Sequence, residues 1–582
     1  HQQPQPAVNR ISDRRLRLLV ALSVIGFALV VGRAIKIQAV DAHQLMSEAQ
    51  AQQQATEPIP VSRGAIFDRN GKLVAQQTVA ERLMVHPKQI EDPAATAAYI
   101  AQKLGFTKKK VLRKKIEELV PKLTPTGLTD ATVLRQLDPA VVDDILSEHP
   151  PGLFAEQEPS RFYPFGRLAP QLLGYTDVDL NGQQGAGLEY SLNRYLAGRP
   201  GEKLEVRAPS GEPMEMLTLR QARPGRDVHL TIDQAIQARV QTVLEATAHR
   251  WKAKSATAIV LEPKTGEILA MGSAPGYNNN DVHDLTAKQV AEWTRNRAVQ
   301  DTYEPGSTFK VVTFAAALSA GIIYPQMKFS HIPYEIQVAD KRIHDDMARG
   351  PITLTASQIL QQSSNVGTVT IAQMVGKDTL YDWIRRFGFG HETPLHLYGE
   401  GSGLVMKPDD WYGSSIGNIP IGQGISVTPI QMASMYAAIA NGGVLVEPHV
   451  VSRIEGQQPF RPTRKRIVEP LVDRHLVNML KGVVDTAAGT GVRAKIPGYT
   501  VAGKTGTAQK AENGGYSKTD YVASFVGFFP ADDPQVEVMV VVDSPRGNIF
   551  GGLVAAPAFQ EIGTFLTQAL SIRPDQPVRP AG

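Results

Sequence analysis

The sequence predicts an α+β protein, with one antiparallel sheet covered by helices, preceded by a membrane helix and an elongated mixed α/β domain. Three observations predict this class. The 582 residues are too many for one hydrophobic core, so two or more domains are expected. Near the N-terminus, one apolar segment is long enough to cross a bilayer. In the C-terminal half, two strands, a series of helices and three late strands indicate a single sheet covered by helices.

The composition is that of an ordinary globular protein and excludes several functional classes. Hydrophobic residues make up 42% and charged residues 20%, and the net charge of +4 is small, so nucleic-acid binding is not expected. Cysteine is absent, which excludes disulfides, thiolate metal sites and a cysteine nucleophile. His391 and His396 are one residue too far apart for a helical zinc pair, and Pro394 lies between them. We interpret this string as a loop and expect neither a metal nor a cofactor.

A single segment has the length and apolar character of a membrane span. Residues 18–32 carry no charge, and roughly 20 helical residues cross the ~30 Å hydrocarbon core. Cations are denser before the segment than after it: Arg10, Arg14, Arg15 and Arg17 precede it, and Arg33 and Lys36 follow. This bias predicts a short cytoplasmic tail at residues 1–15, an anchor at 16–36 and an extracytoplasmic remainder. The alternative is a cleaved signal peptide, for which Ala39-Val40-Asp41-Ala42 is a poor cleavage site.

Residues 37–225 are predicted to form a stalk and the elongated mixed α/β domain. The segment 37–57 is rich in Gln and Ala and lacks Gly and Pro, which predicts a helix that ends at Pro58. A basic helix over residues 108–120 indicates either a solvated face or contact with anionic lipid headgroups or an acidic partner. Its predicted apolar stripe consists of Val111, Leu112, Ile116, Leu119 and Val120.

A second domain is predicted over residues 226–572. Its first strand ends at Asp233, which is expected to cap a helix over 234–252. Two apolar strands around a turn predict a hairpin. The predicted strands are 256–262, 267–273, 500–502, 521–529 and 536–542, and the later helices are 308–320, 355–375 and 429–441. Residues 509–520 predict a mobile loop, and the Pro-rich residues 573–582 predict a disordered tail.

The chemistry is predicted to depend on Ser307. Pro305 and Gly306 precede it and an apolar helix follows, so Ser307 is expected at a helix start with Lys310 one turn further on. A serine hydroxyl is a weak nucleophile that needs an adjacent base. A lysine can be that base if burial and a second cation lower its pKa. The spacing alone is a weak signal, because a capping serine with a surface lysine gives the same string.

A second short motif follows the serine. Ser363 and Asn365 can present a hydroxyl and an amide to one site, although a helix-end motif gives the same pattern. Ser191-Leu192-Asn193 has the same spacing, but it precedes Ser307 and lies outside the second domain. The second motif therefore gains its meaning only from its place after the serine.

A third motif lies near the end of the second domain. Lys504, Thr505 and Thr507 offer a cation and two hydroxyls to a carboxylate. Gly506 allows a ligand backbone to approach an edge strand closely. The similar string 264–266 is rejected because it is predicted as a hairpin tip before the serine, and acidic Glu267 follows it.

In this order, the three motifs are the known set of the class A β-lactamases and penicillin-binding proteins. The sequence resembles a class B penicillin-binding protein over nearly its whole length after the stalk, and most closely the division-specific, FtsI-like branch. The resemblance rests on residues 303–310 around the serine, on 63–71, 161–164 and 187–189 in the first domain, and on 422–424, 428–431, 551–552 and 555–559 in the second. It implies the penicillin-binding transpeptidase fold behind a non-catalytic pedestal domain of the dimerisation type, which is residues 37–225.

The resemblance implies a role for each motif residue in a serine D,D-transpeptidase. Ser307 would attack the penultimate D-Ala carbonyl of a peptidoglycan stem peptide, and Lys310 would take its proton. Ser363 would relay a proton to the leaving D-Ala, and Asn365 would hold Lys310 and the substrate amide. Lys504 would keep the site electropositive. Thr505, Gly506 and Thr507 would bind the terminal carboxylate, and the backbone N–H groups of Ser307 and Thr507 would form the oxyanion hole.

The same resemblance implies partners and a location. β-Lactams would acylate the serine, while a SEDS-type polymerase of the FtsW kind and small divisome proteins would be the protein partners. The chain would be a single-pass protein of the cytoplasmic membrane, acting at the division site with its catalytic domain outside. Three alternatives stay open: an elongation-type transpeptidase, a D,D-carboxypeptidase and a β-lactam-sensing relative with the same motifs.

Overall fold

The computed structural model describes residues 13–40, 54–124, 127–180, 182, 184–207, 213–512 and 515–577. The chain divides into two compact units, residues 1–61 with 198–224, and residues 62–197 with 225–582. Up to residue 230 the described helices are α1 (Asp13–Ile35), α2 (Pro93–Lys103), α3 (Lys109–Leu123), α4 (Pro139–Leu146), α5 (Pro170–Leu173), α6 (Gly187–Ser191) and α7 (Asn193–Leu196). The strands are β1 (Gln54–Ile59), β2 (Ile66–Phe67), β3 (Leu73–Val85), β4 (Ala131–Leu137), β5 (Leu153–Phe162), β6 (Tyr175–Thr176), β7 (Gly185–Ala186), β8 (Gly201–Arg207), β9 (Pro213–Arg220) and β10 (Val228–Leu230).

The rest of the chain contains a long central sheet and most of the helices. The helices are α8 (Gln234–Arg250), α9 (Ala287–Trp293), α10 (Arg297–Gln300), α11 (Lys310–Ser319), α12 (Ala356–Gln361), α13 (Asn365–Val375), α14 (Lys377–Arg386), α15 (Ser415–Asn418), α16 (Pro429–Ala440), α17 (Pro470–Asp485), α18 (Gly551–Val554) and α19 (Ala556–Ala569). The strands are β11 (Ser255–Leu261), β12 (Ile268–Ala274), β13 (Lys328–Ile332), β14 (Glu335–Val338), β15 (Lys341–His344), β16 (Ile352–Thr355), β17 (Val444–Val446), β18 (Val451–Ile454), β19 (Arg464–Arg466), β20 (Ala502–Glu512), β21 (Gly515–Phe529) and β22 (Val536–Asp543).

The smaller unit contains the apolar N-terminal helix and the three-stranded sheet β1-β8-β9. Within the described residues, Arg15–Ala39 is the one helix with the length and hydropathy of a membrane span. The predicted stalk helix is wrong at residues 54–57, because these residues lie in β1 and pair antiparallel with β8. Residues 37–40 are helical, as predicted, and residues 41–53 lie outside the described residues.

In the larger unit, residues 62–197 form a mixed domain around β3. The sheet runs in the order β18-β10-β2-β3-β4, and β5 also pairs with β3. The basic helix α3 packs Leu119 and Leu123 into a small core under this sheet. Val111, which the sequence assigns to the apolar stripe, is instead 46% exposed, so the predicted stripe is wrong at that position.

A buried ion-pair cluster joins distant parts of this domain. Glu189 accepts from Arg63 Nε at 2.8 Å and from Arg161 Nε at 2.7 Å, and all three side chains are almost fully buried. Arg161 also donates to Gly64 O at 2.8 Å. Burial by itself would raise the pKa of Glu189, but the two guanidinium groups hold it below its ordinary value. The carboxylate is therefore charged and fully paired.

The central sheet has the order β12-β11-β22-β21-β20, and every pairing in it is antiparallel. Its two faces bury separate cores, because successive side chains of a strand point to opposite faces. Met539 and Val541 of β22 pack against one group of helices, while Val538 and Val540 pack against α8 and α19 on the other face. The predicted antiparallel sheet covered by helices is confirmed.

Several predicted details of this domain are also confirmed. Asp233 caps α8 by accepting from Ala235 N at 2.9 Å and Ile236 N at 3.1 Å. The β11–β12 hairpin forms as predicted. Residues 391–396 lie in a loop, as the sequence interpretation expects.

Three predicted details are wrong. Residues 509–512 and 515–520 belong to the paired strands β20 and β21 rather than to a mobile loop, and residues 513–514 lie outside the described residues. The helix predicted over 355–375 is broken into α12 and α13. The predicted tail is packed at its start, where Asp575 accepts from Thr500 N at 2.8 Å; residues 578–582 lie outside the described residues.

Candidate active site

Ser307 lies in a short 3-10 turn, Gly306–Phe309, that leads directly into α11. Gly306 has a φ of +56°, a left-handed conformation that glycine adopts without strain. Its N–H donates to Gly422 O at 3.0 Å, and a Cβ on Gly422 would lie 2.2 Å from Gly306 O. The turn is therefore held against residue 422 by a close backbone contact that requires glycine. The prediction that Ser307 stands at a helix start is confirmed.

Lys310, at the first position of α11, is fully buried. Its Nζ donates to Ser363 O at 2.6 Å, to Ser363 Oγ at 3.1 Å and to Asn365 Oδ1 at 2.6 Å. Burial lowers the pKa of Lys310 to about 8, and the carboxylates of Asp346 and Asp345 only partly oppose this effect. A lysine in this environment can take up a proton near neutral pH.

Lys504 brings a second ammonium to the same hydroxyl. It projects from β20, is fully buried, and donates to Ser363 Oγ at 3.0 Å. Burial, and then the neighbouring charge of Lys310, hold the pKa of Lys504 well below its ordinary value. Among the described residues, neither lysine forms an ion pair with a carboxylate. Both lysines donate to neutral oxygens rather than to carboxylates, so their pKa values stay low enough for a lysine to lose its proton.

Ser363 can receive both lysines because the chain changes direction at this residue. It has a φ of +59° and stands between α12 and α13, whose N-terminus is capped by Ser364 through a bond from Gly367 N at 3.0 Å. A continuous helix would not direct the hydroxyl and the carbonyl of one residue toward the same ammonium. The break between α12 and α13 therefore allows Ser363 to accept hydrogen bonds from both lysines.

Asp345 supports this turn and was not found from the sequence. Its carboxylate accepts from Asn365 N at 2.6 Å, Val366 N at 3.1 Å and Ser364 Oγ at 3.0 Å, and it pairs with Arg349. The preceding residue, His344, accepts from Asn365 Nδ2 at 2.8 Å through its backbone carbonyl. An Asp that accepts from backbone N–H groups at a helix start is a common capping pattern, but its distance of about 20 positions from α13 hides it in the sequence.

The third motif lies within β20 rather than after a strand. Thr505 Oγ1 lies 2.6 Å from Thr490 Oγ1, and Thr507 Oγ1 accepts from Gly551 N at 3.2 Å. A Cβ on Gly506 would lie 3.1 Å from Pro305 O, so the strand passes close to the serine turn. Sequence reasoning missed the contacts of this motif with Thr490 and Gly551, because these residues are close to it in space but distant in sequence.

The two backbones proposed for an oxyanion hole lie on adjacent elements. A Cβ on Gly306 would be 2.9 Å from Thr507 O, so the serine turn and β20 are in close contact at this point. Ser307 itself is half-buried, and its hydroxyl makes no hydrogen bond to the described residues. Lys310 reaches Ser363 and Asn365 instead. Catalytic hydrogen bonds often tighten only when substrate binds.

The two similar strings that the sequence analysis rejects, 191–193 and 264–266, lie outside this site. Asn193 accepts from Arg63 Nη1 at 2.7 Å in the first domain, and Lys264 pairs with Asp533 at 2.7 Å on the surface. By contrast, Lys310, Ser363, Asn365 and Lys504 form one hydrogen-bonded group, and Lys310 lies one helical turn after Ser307. A serine at a helix start, followed one turn later by a buried lysine with a lowered pKa, is the arrangement that acyl transfer by a serine with a lysine base requires.

Comparison with known proteins gives the family. Residues 256–563 match the penicillin-binding protein transpeptidase domain, and residues 58–230 match the penicillin-binding protein dimerisation domain. The chain is 31% identical to the peptidoglycan D,D-transpeptidase FtsI of Escherichia coli, covering 96% of this chain and 92% of that protein. It is also 31% identical to the stage V sporulation protein D of Bacillus subtilis, covering 96% and 86% respectively.

A solved structure agrees with these relatives. The crystal structure of penicillin-binding protein 3 from Mycobacterium tuberculosis, complexed with aztreonam, matches with a TM-score of 0.69 and 30% identity, covering 90% of this chain and 99% of that chain. This chain therefore belongs to the class B penicillin-binding proteins, the family of D,D-transpeptidases to which the sequence motifs point. The expected fold class and enzyme class are confirmed.

Proposed function

We propose that this protein cross-links peptidoglycan stem peptides through an acyl-enzyme on Ser307. The observation that carries the proposal is the pair of buried lysines that both donate to Ser363 Oγ and that form no ion pair with a carboxylate of the described residues. Neutral Lys310 removes the proton of the Ser307 hydroxyl as its oxygen attacks the penultimate D-Ala carbonyl. The C–N bond to the terminal D-Ala then breaks, and the leaving amine takes up a proton relayed through Ser363.

The remaining site residues position the substrate. Asn365 holds Lys310 and the substrate amide, and Lys504 keeps the site electropositive. Thr505, Gly506 and Thr507 receive the terminal carboxylate along β20, as an extended peptide adds to a sheet edge. The N–H groups of Ser307 and Thr507 stabilise the oxyanion. The amine of a second stem peptide then attacks the acyl-enzyme, which forms the cross-link and frees Ser307. No step needs a metal or a cofactor.

Mass analysis of the intact protein tests the nucleophile. After incubation with penicillin, we expect the wild type to gain the mass of one opened β-lactam, because the lactam carbonyl mimics the scissile D-Ala bond. Ser307→Ala should gain nothing. Ser191→Ala, which changes the decoy serine, is the matched control and should be acylated like the wild type. An adduct on Ser307→Ala would refute the assignment.

A second assay distinguishes transpeptidation from hydrolysis. The wild type is incubated with a donor stem peptide and an acceptor stem peptide, and the products are separated by mass. We expect a cross-linked dimer in addition to free D-Ala, because an amine acceptor resolves the acyl-enzyme. Free D-Ala without dimer would favour the D,D-carboxypeptidase alternative.

We further propose that residues 1–15 form a cytoplasmic tail, 16–36 a single membrane anchor, 37–225 the stalk and pedestal, 226–572 the transpeptidase domain, and 573–582 the tail. The apolar helix at Arg15–Ala39 supports the anchor. The Tyr303-Glu304 lead-in to the serine and the likeness to FtsI support a septal role beside an FtsW-like polymerase and small divisome proteins. A fluorescent fusion should concentrate at midcell; a signal spread along the wall would favour the elongation alternative.

A further inference from the structure

Glu304, three residues before Ser307, contacts two other elements of the site through its side chain. Its Oε1 accepts from Gly424 N at 2.9 Å and from the Tyr516 hydroxyl at 3.1 Å. Gly424 lies in the loop before α16, and Tyr516 lies near the start of β21. One carboxylate oxygen therefore joins the nucleophile turn, the 422–427 loop and the tip of the β20–β21 hairpin.

The turn and the loop do not depend on this carboxylate, because their backbones are already joined. Tyr303 and Val427 exchange two N–H···O bonds of 2.9 Å, and Gly306 N donates to Gly422 O. The hairpin tip is different. Its described residues, 511, 512, 515 and 516, make no hydrogen bond or ion pair outside the hairpin other than the one from Tyr516 to Glu304. The contact with Tyr516 is therefore the specific task of the Glu304 side chain.

The shape of the hairpin explains why its tip needs such a contact. Gln509 pairs with Tyr521 and Ala511 pairs with Tyr516, so one residue of β20 stands opposite the four residues 517–520 of β21. A bulge of this kind bends a strand pair and interrupts its ladder. Ser517 closes the bulge by accepting from Asp520 N at 3.2 Å. The tip beyond the bulge is thus poorly coupled to the sheet that carries Lys504 and Thr507.

The second oxygen of Glu304 adds an independent observation. Glu304 Oε2 is buried and has no hydrogen-bond partner among the described residues. Burial raises the pKa of Glu304, while the bonds from Gly424 and Tyr516 act in the opposite direction. A buried, half-satisfied carboxylate is costly, and such groups in native proteins usually have a function. Holding the hairpin tip is the function that its contacts indicate.

We propose that Glu304 is a positioning residue that holds the hairpin tip, through Tyr516, at the rim of the acyl-donor site, and thereby sets how tightly the donor binds before acylation. The inference rests on the proposed function, because the hairpin's first strand carries the residues assigned to the donor carboxylate. The tip is held in place only while the Tyr516 hydroxyl donates to Glu304. Loss of this bond weakens donor binding and leaves the chemistry at Ser307 unchanged.

Acylation kinetics with a chromogenic β-lactam test the proposal, since saturation separates the dissociation constant of the precovalent complex from the limiting acylation rate. Tyr516→Phe removes one hydroxyl at a residue that is 42% exposed, so the fold should be retained. We expect its dissociation constant to rise roughly three- to tenfold, the usual range for one hydrogen bond, with an unchanged limiting rate. Tyr324→Phe, the same change at a tyrosine that is 61% exposed, is the matched control and should behave like the wild type.

Glu304 variants complete the test as a double-mutant cycle. Glu304→Gln keeps an acceptor oxygen and should recover most of the binding that Glu304→Ala loses. Adding Tyr516→Phe to Glu304→Ala should not raise the dissociation constant any further. The inference would be overturned if Tyr516→Phe had the dissociation constant of the wild type, or if the increases of the two single variants multiplied in the double variant. If Glu304→Ala does not fold, the dissociation constants of Tyr516→Phe and Glu304→Gln test the inference without it. A wild type that β-lactam fails to acylate would instead overturn the proposed function itself.

Discussion

Two clusters of buried cations in this protein are built in opposite ways. In the first domain, Arg63 and Arg161 each form an ion pair with the single carboxylate of Glu189, which leaves this triad with a net charge of +1. In the active site, Lys310 and Lys504 share the hydroxyl of Ser363. Guanidinium groups stay charged at any ordinary pH, whereas a buried lysine can lose its proton. The first cluster therefore keeps its charges, whereas burial in the second lowers the pKa of both lysines, as the base of the proposed mechanism requires.

The largest expected effect comes from removing the base. Lys310→Met should lower the rate of acylation by β-lactam roughly 10²- to 10⁴-fold, the usual contribution of a general base. Folding stability should fall by no more than about 1–3 kcal/mol, because removing a buried charge offsets part of the cost of leaving the acceptors on Ser363 and Asn365 unpaired. Acylation kinetics measure the predicted change in rate, and chemical denaturation of the same preparation measures the predicted change in stability. A large loss of stability would contradict the comparison, since it would make Lys310 a structural residue.

Removing the Glu189 carboxylate of the first-domain cluster should lower folding stability and leave acylation nearly unchanged. Glu189→Gln leaves two buried guanidinium groups without a counter-charge and should destabilise the protein by roughly 3–5 kcal/mol. Acylation by the folded protein should change little. Denaturation monitored by fluorescence measures the loss. Glu245→Gln, which breaks an exposed pair with Arg167, is the matched control and should cost at most about 1 kcal/mol.

The pH dependence of acylation sharpens the comparison. In the proposed mechanism only neutral Lys310 accepts the Ser307 proton, and its pKa is about 8, so the rate should rise with pH and level off above about 8. Lys504→Met should leave this midpoint near 8, because burial, Asp346 and Asp345 set the pKa of Lys310, whereas the charge of Lys310 lowers the pKa of Lys504. Rates measured from pH 6 to 9.5 in both proteins test this. A midpoint that moves in Lys504→Met would show that Lys504 sets the pKa of Lys310.

The smallest expected effect is on stability as a function of pH. The folded protein holds Lys310 at a pKa near 8 and the unfolded chain at its ordinary value near 10.5. Between these values the unfolded state binds more protons, so this residue makes stability increase with pH, by at most about 1.4 kcal/mol per pH unit. Lys310→Met should remove that increase. Glu189 has the same sign in a lower pH range, because its folded pKa is also lowered: its contribution is complete above the ordinary value of about 4.5 and is lost as the pH falls below it.

The sequence predicts those parts of the molecule that depend on local patterns. The capping Asp233, the β11–β12 hairpin and the start of α11 at the serine follow from short strings, and each is confirmed. Features that depend on distant contacts were missed. Residues 509–520 contain Gly and Lys and give no apolar pattern, yet 509–512 lie in β20 and 515–520 lie in β21, because both strands continue beyond the central sheet. Nothing local shows that Asp345 caps α13 or that Asp575 holds the start of the C-terminal tail.

The site shows the same division. The motifs predict which side chains are present, but not that Lys310 and Lys504 meet on Ser363 rather than on Ser307. That arrangement depends on the break between α12 and α13, where Ser363 has a positive φ. The sequence leaves open whether the second motif lies inside a helix or at a helix end, so it does not predict the direction of the Ser363 side chain.

The positive φ of Ser363 has a consequence for engineering and for evolution. A non-glycine residue in the left-handed region costs about 1–3 kcal/mol, which the surrounding contacts must offset. Glycine at this position would relieve the strain, but it would remove the hydroxyl oxygen to which both buried lysines donate. In the proposed mechanism the same hydroxyl relays the proton to the leaving group, so catalysis keeps a serine in a conformation that suits glycine better.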